Sequence, residues 1–310
     1  MTTKVDEATF LIDTEAFGQK ARVAAFAIAS DSPVLIDTGY ASSAGTVLTK
    51  IKSLGLNMAD FTRIIPTHVH LDHAGATGVL VREMSNAQVF VHERGVKHLV
   101  DPTRLVASAR TVFAKEEFSQ FGTVMPIEAN RVTSVADHQV LDLGQGLKLE
   151  MIWAPGHAPH ELCILNKRTG ALFTGDAVCT YYPYFKALTP TAPPPSFDLR
   201  QTVESLRQLK ALKPRLLLTP HFGAIEHAEE MLQRNIQRFS EWESLILEGH
   251  AEGQSSDKIL NSLLWHVAKE AGCSLDEVPG HVRTTTKMAL IGYESYLQKA
   301  GFIDSPRREN

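Results

Sequence analysis

An α/β fold carrying an appended helical segment is the architecture this chain predicts, on three observations. Short apolar runs alternate with helical ones from the N-terminus to about residue 222. Seven histidines and aspartates sit just past the ends of apolar runs, where sheet scaffolds place reactive loops. After residue 223 the pattern is helical throughout. A chain of 310 residues, 44% hydrophobic and 21% charged, can bury the core such a fold needs.

Phe10–Ile12, Ala24–Ile28 and Val34–Ile36 read as strands, the last ending at the turn signal Asp37-Thr38-Gly39. Ala44, Val47, Leu48, Ile51 and Leu54 recur at helical spacing, with Ser42 or Ser43 as cap and Gly55 as stop. A strand over Arg63–Pro66 runs into a histidine-rich loop, continued by a helix over Ala74–Met84; Val89–Val91 is a further strand. Residues 94–120 read as an amphipathic helical insertion between two halves. The second half repeats the logic. Strand Leu147–Trp153 precedes a hairpin of Leu162–Leu165 and Ala171–Phe173, and helix Leu199–Leu212 leads to strand Arg215–Leu218. Residues 180–197 form a loop stiffened by five prolines. Ile225, Leu232, Phe239 and Ile246 recur every seven residues and predict one long helix with a packed seam. Asp257–Ala271 and Thr284–Ala300 are two more helices, each ended by a glycine.

The run Thr67-His-Val-His-Leu-Asp-His-Ala-Gly75 concentrates His68, His70, Asp72 and His73; His157, Asp176 and His221 follow singly. Imidazole nitrogens and carboxylate oxygens are the donors of zinc and similar borderline metals. Seven exceed the needs of one tetrahedral ion and suit two ions that share a carboxylate. In an extended loop His68 and His70 project to one side and grip one ion, which His157 completes. Asp72 and His73, at the turn into the next helix, face a second ion that His221 completes. Asp176 can bridge the two at roughly 3.5–4 Å. Gly75 has no side chain to block close approach of that helix. Asp37 reads as a turn residue capping its own backbone, and His160 and Glu161 as hydrogen-bonding neighbours of the ligands. His92, His98, His138, His227, His250, His266 and His281 lack partners at ligand spacing.

Other function classes are disfavoured. A net charge of −4 gives no attraction to nucleic acid or anionic membrane, and no apolar run is long enough to span a bilayer. Three cysteines, Cys163, Cys179 and Cys273, form no Cys-x-x-Cys motif and read as reduced thiols of a cytoplasmic protein.

Five motifs, in this order, resemble those of the metallo-β-lactamase fold superfamily across about residues 8–223. They are Asp37-Thr38-Gly39, Thr67 to Gly75, Pro155-Gly-His157, Phe173-Thr-Gly-Asp176 and Pro220-His221. The resemblance implies an αββα sandwich with the metals at one edge. It implies a catalytic domain over residues 1–223 and a helical extension over 224–310 packing on it. Asp176 stands where many true β-lactamases have a cysteine ligand, and His70 where flavodiiron proteins have a glutamate. Cys179 stands where the lactonase branch places a tyrosine. The layout is most similar to glyoxalase-II-like hydrolases with C-terminal helices.

That family reading implies two divalent metal ions, zinc first, with iron or manganese as the other candidates. It implies cleavage of a thioester, ester or lactone by a metal-bridging hydroxide. Asp72 would be the catalytic residue, ligating a metal, orienting the nucleophile and passing its proton to the leaving group. Two other classes stay open: a mononuclear-iron oxidoreductase resembling persulfide dioxygenases, and a signalling or binding protein with a vestigial site. The partner expected is a small-molecule substrate, with no nucleic acid or membrane, and the chain a monomer or homodimer. No substrate-binding residue is legible.

Overall fold

The computed structural model describes residues 2–304. Residue 1 and residues 305–310, the outer ends of the two expected domains, lie outside the described residues.

The first half of the chain builds a seven-stranded sheet in sequence order. Its strands are β1 (Thr2–Lys4), β2 (Thr9–Asp13), β3 (Ala24–Ile28), β4 (Val34–Ile36), β5 (Arg63–Ile65), β6 (Gln88–His92) and β7 (Val132–Val135). β1 to β4 pair antiparallel, whereas β4 to β7 pair parallel. Parallel neighbours need crossovers, and helices supply them here. α1 (Ala44–Ser53) joins β4 to β5; α2 (Leu71–Ala74) and α3 (Thr77–Glu83) join β5 to β6. α4 (Glu93–Val100), α5 (Thr103–Val112) and α6 (Lys115–Phe118) lie between β6 and β7.

Strands β8 (Val140–Asp142), β9 (Lys148–Trp153), β10 (Leu162–Asn166) and β11 (Ala171–Phe173) follow as antiparallel neighbours. β12 (Thr180–Tyr181) and β13 (Leu188–Thr189) pair only with each other, and α7 (Leu199–Ala211) comes next. The chain then returns with β14 (Leu216–Thr219), parallel to β11, and β15 (Gly223–Ile225) beside it. These complete a six-stranded sheet of order β15-β14-β11-β10-β9-β8. α8 (Ala228–Ala251), α9 (Ser256–Ala271) and α10 (Gly280–Lys299) end the fold.

The chain folds as two compact units. One holds the chain up to Trp153 with His160–Gly175 and Pro214–Glu226; the other holds Ala154–Pro159, Asp176–Lys213 and the chain from His227 onward. In the first unit the period-two alternation of the strands sets the layers. Ala24, Phe26 and Ile28 of β3 join a core with Leu149, Met151, Ile164, Phe173 and Leu218 of the second sheet. There Phe26 and Phe173 meet edge to face at 5.3 Å between centroids. Ala25 and Ala27 point the other way, into a core with Val47 and Ile51 of α1, Leu80 of α3 and Leu99 of α4. Both faces of β3 are thus buried, which is why it reads as a continuous apolar run. The α/β sandwich expected from the sequence is the architecture found, and the C-terminal helices are present. In the second unit Leu232, Phe239, Trp242 and Ile246 of α8 are all buried, with Tyr293 of α10 donating its hydroxyl to Phe239 O at 2.8 Å.

Several local expectations need correction. The helix expected over Ala74–Met84 begins at Leu71 and is broken near Gly75, because the Ala76 amide turns to Gly39 O at 3.0 Å instead of continuing the ladder. The helical insertion at 94–120 is divided into α4, α5 and α6 and lies between two strands of the first sheet, not between two halves. Asp101, which precedes Pro102, is extended (φ −131°), and its carboxylate takes the Thr103 amide at 3.1 Å. Ser43 sits at the cap of α1 but makes no side-chain cap bond. Residues beyond 223 are not helical throughout. Gly223–Ile225 adds an edge strand against Leu217–Thr219, so α8 begins at Ala228 and Ile225 falls outside its seam.

Candidate metal centre

Four strand ends carry the seven candidate ligands. β5 ends two residues before Thr67, β9 four before His157, β11 three before Asp176 and β14 two before His221. Asp72 and His73 lie within the first turn of α2 itself, not at a turn before it. That turn is anchored from β4: Thr38 donates to His73 O through its amide at 2.7 Å and its hydroxyl at 2.8 Å. A Cβ on Gly75 would fall into the Leu71 carbonyl and onto the Ala41 amide, so only glycine lets α2 seat against the loop after β4.

Asp37 is the main correction at the site. It does not cap its own backbone. It ends β4 in the left-handed region (φ 55°), is 1% exposed, and takes the Thr67 amide at 2.7 Å and the Thr67 hydroxyl at 2.9 Å. Its other oxygen accepts from His73 Nδ1 at 3.0 Å. Backbone carbonyls perform the same service elsewhere. His157 Nδ1 donates to Thr191 O at 2.9 Å, and His221 Nδ1 donates to Arg22 O at 3.2 Å. His68 Nδ1 lies 3.3 Å from the Thr67 hydroxyl and 3.2 Å from Glu161 Oε2. Thr67 has one hydroxyl hydrogen, and Asp37 takes it, so the hydroxyl oxygen faces His68 as acceptor. In four imidazoles, therefore, Nδ1 carries the hydrogen and Nε2 keeps the lone pair a metal requires.

The donors fall into two groups. Within the first unit His68 and His70 offer ligand atoms within 4.8 Å of one another, as do Asp72, His73 and His221. Inside the groups His221 Nε2 lies 3.4 Å and His73 Nε2 3.5 Å from Asp72 Oδ2; His157 Nε2 lies 3.6 Å from Asp176 Oδ2. Donors bound at about 2.1 Å in a tetrahedron sit about 3.4 Å apart, so these separations fit a shared ion better than direct hydrogen bonds. Burial opposes ionisation of Asp72, but His73 and His221 in their protonated forms outweigh it and hold the carboxyl well below the usual carboxylate range.

The sequence flags Glu161 and His160 as neighbours; the structure places the His160 ring 5.9 Å from His70 and 6.1 Å from His68. Thr67, Arg22 and Thr191 escape sequence reasoning. The last two act through carbonyls, which no residue type advertises. The cysteines are free; Cys163 and Cys179 are buried, and burial pushes both thiols up. Among the described residues no helix is long and apolar enough to cross a membrane.

The metallo-beta-lactamase superfamily model matches residues 21–221, the span that contains all seven donors. The chain belongs to that superfamily. Metallo-beta-lactamase fold-containing protein ST1585 of Sulfurisphaera tokodaii is 29% identical over 210 residues, 65% of this chain and 75% of its own. The crystal structure of ST1585 superposes with a TM-score of 0.60 at 25% identity, covering 70% of this chain and 79% of that one. An atrochrysone carboxyl ACP thioesterase of Aspergillus fumigatus is 24% identical over 188 residues, 59% of this chain and 45% of its own. An N-acyl homoserine lactonase, AttM, of Azorhizobium caulinodans is 26% identical over 177 residues, 56% of this chain and 63% of its own.

Proposed function

We propose that this chain is a dinuclear metal-dependent hydrolase that cleaves a thioester, ester or lactone, with zinc as its metal. His68, His70 and His157 would hold one ion, Asp72, His73 and His221 the other, with Asp176 shared between them. Residues 1–223 would form the catalytic domain and 224–310 its helical extension. The observation that carries the reading is the set of imidazoles held by Nδ1 so that Nε2 is the donor, with Asp72, His73 and His221 offering ligand atoms within 4.8 Å of one another.

A bound divalent metal supplies a Lewis acid for the substrate carbonyl and a water acidic enough to attack it at neutral pH. The chain supplies the rest. Asp72 would ligate the metal, and its carboxylate, an acceptor, would orient the attacking water and pass its proton to the leaving group. Neither buried thiol provides a thiolate, which leaves covalent catalysis by Cys163 or Cys179 without a nucleophile. A carbonyl substrate is further supported by the thioesterase and lactonase among the relatives.

The test is elemental analysis of protein purified without chelator or affinity metal, followed by a panel of thioesters, lactones and esters. About two equivalents of zinc and metal-dependent turnover of one class are expected. One equivalent of iron with no hydrolysis would overturn the reading in favour of an oxidoreductase.

A further inference from the structure

We propose that Glu161 is the positioning residue of His68 and sets how tightly the metal held by His68 and His70 is bound; the inference rests on the metal reading above. Glu161 has 0% exposure, and carboxyl groups are seldom buried so completely without a specific role. Its Oε2 lies 3.2 Å from Nδ1 of the equally buried His68.

The surrounding chain is built to keep it there. Leu162, the first residue of β10, donates its amide to Thr67 O at 2.8 Å, which ties the strand start to the ligand loop and sets Glu161 beside His68. Gly175 has φ 49°, and a Cβ on it would collide with Glu161 Oε1 and approach Thr67 Oγ1 to 2.9 Å. The glycine of Thr174-Gly175-Asp176 thus clears the space that the Glu161 carboxyl fills, one residue before a candidate ligand.

The arrangement has a counterpart. His68 Nδ1 has the Glu161 carboxyl 3.2 Å away beside its bond to Thr67, and His73 Nδ1 bonds the Asp37 carboxyl at 3.0 Å. Two other imidazoles are backed by backbone carbonyls, His157 by Thr191 and His221 by Arg22. Thr67 Oγ1 stands between the His68 and His73 rings, 3.3 Å from His68 Nδ1 and 3.5 Å from His73 Nδ1. A charged acceptor polarises an N–H more strongly than a carbonyl does. Metal affinity at His68 should therefore answer to Glu161.

The experiment is a zinc titration of the metal-stripped full chain against a chromophoric chelator, for wild type, Glu161→Gln and Glu161→Ala. In Glu161→Ala one equivalent should bind about 10–100-fold more weakly while the other is unchanged. Glu161→Gln keeps shape and an acceptor oxygen but not charge, and its loss should be about tenfold. Cobalt absorption spectra should change for that equivalent alone. A purely structural Glu161 would lower the melting temperature of the metal-free protein and leave zinc affinity as in wild type, which overturns the proposal. If Glu161→Ala does not fold, a folded Glu161→Gln with wild-type affinities overturns it equally. Wild-type protein that takes up no zinc overturns the metal reading itself; wild-type uptake with unaltered variants overturns only the role of Glu161.

Discussion

Asp37 and His73, 36 residues apart in sequence, are joined by a buried hydrogen bond of 3.0 Å from the imidazole Nδ1 to the carboxylate. The same carboxylate holds the Thr67 amide and hydroxyl. One acid at the end of β4 therefore orients a candidate ligand and fixes the start of the ligand loop. Asp37→Asn retains the shape and tolerates the left-handed backbone. It should weaken zinc at the Asp72–His73–His221 group by about tenfold or more. Asp37→Ala strands the buried Thr67 amide and should also cost about 1–3 kcal/mol of stability. Zinc titration and urea unfolding read the two effects separately; wild-type affinity in the Asn variant would contradict the orienting role.

Asp72 and His157 test the two groups directly. Asp72 Oδ2 lies near both His73 and His221, and His157 is 4% exposed with Nδ1 held by Thr191. Asp72→Ala or His157→Ala should lower hydrolytic turnover by about two to four orders of magnitude with far-UV circular dichroism unchanged. Full activity in either variant would rule out the proposed site.

The placement of the candidate donors just past strand ends is legible in the sequence, because each apolar run stops shortly before its histidine or aspartate. The strands that frame them are legible too: Ala24–Ile28, Val34–Ile36 and Ala171–Phe173 are buried apolar runs with the bounds expected. What escapes is what side-chain identity does not encode. The carbonyls of Arg22 and Thr191 come from loops whose residue types are incidental to the bond they accept. β12 and β13 have two residues each, too few for a period to declare itself. Asp37 carries a turn signal, and its reach to His73 depends on parallel pairing of β4 with β5, a long-range choice.

Glu270 of α9 should be a stability determinant of the second unit. It pairs with Arg238 at 2.7 Å and Arg234 at 2.9 Å and accepts the Leu188 amide at 3.2 Å, while Arg238 donates to Leu188 O at 2.7 Å. Burial works against the Arg238 charge, and Glu270 more than restores it. Glu270→Gln removes the carboxylate that both guanidinium groups share, while Arg238 keeps Glu241 at 3.2 Å. Partial exposure screens the loss, which should be about 1–3 kcal/mol in urea unfolding. An unshifted urea midpoint would show that the pair holds nothing.

A surface pair gives a pH signature of its own. His138 adopts φ 57° between β7 and β8, with Nδ1 2.9 Å from Glu150 Oε1. The bond to Glu150, followed by the charge of Asp137, raises His138 above its ordinary value of 6.5. The bond to Lys167, followed by that to His138, lowers Glu150 below its ordinary 4.5. A group with a raised folded pKa contributes stability that is complete below its unfolded value and fades as pH climbs through the folded one. A depressed carboxyl does the reverse, contributing above its unfolded value and losing it as pH falls. The pair is therefore strongest between the two unfolded values, and its His138 part is gone at alkaline pH. His138→Asn keeps a left-handed-tolerant residue in the turn. Its melting temperature should fall below wild type near pH 5.5 and converge with it as pH rises well past His138's raised folded value. A deficit that instead grows toward alkaline pH would show that the turn, and not the ion pair, accounts for the effect.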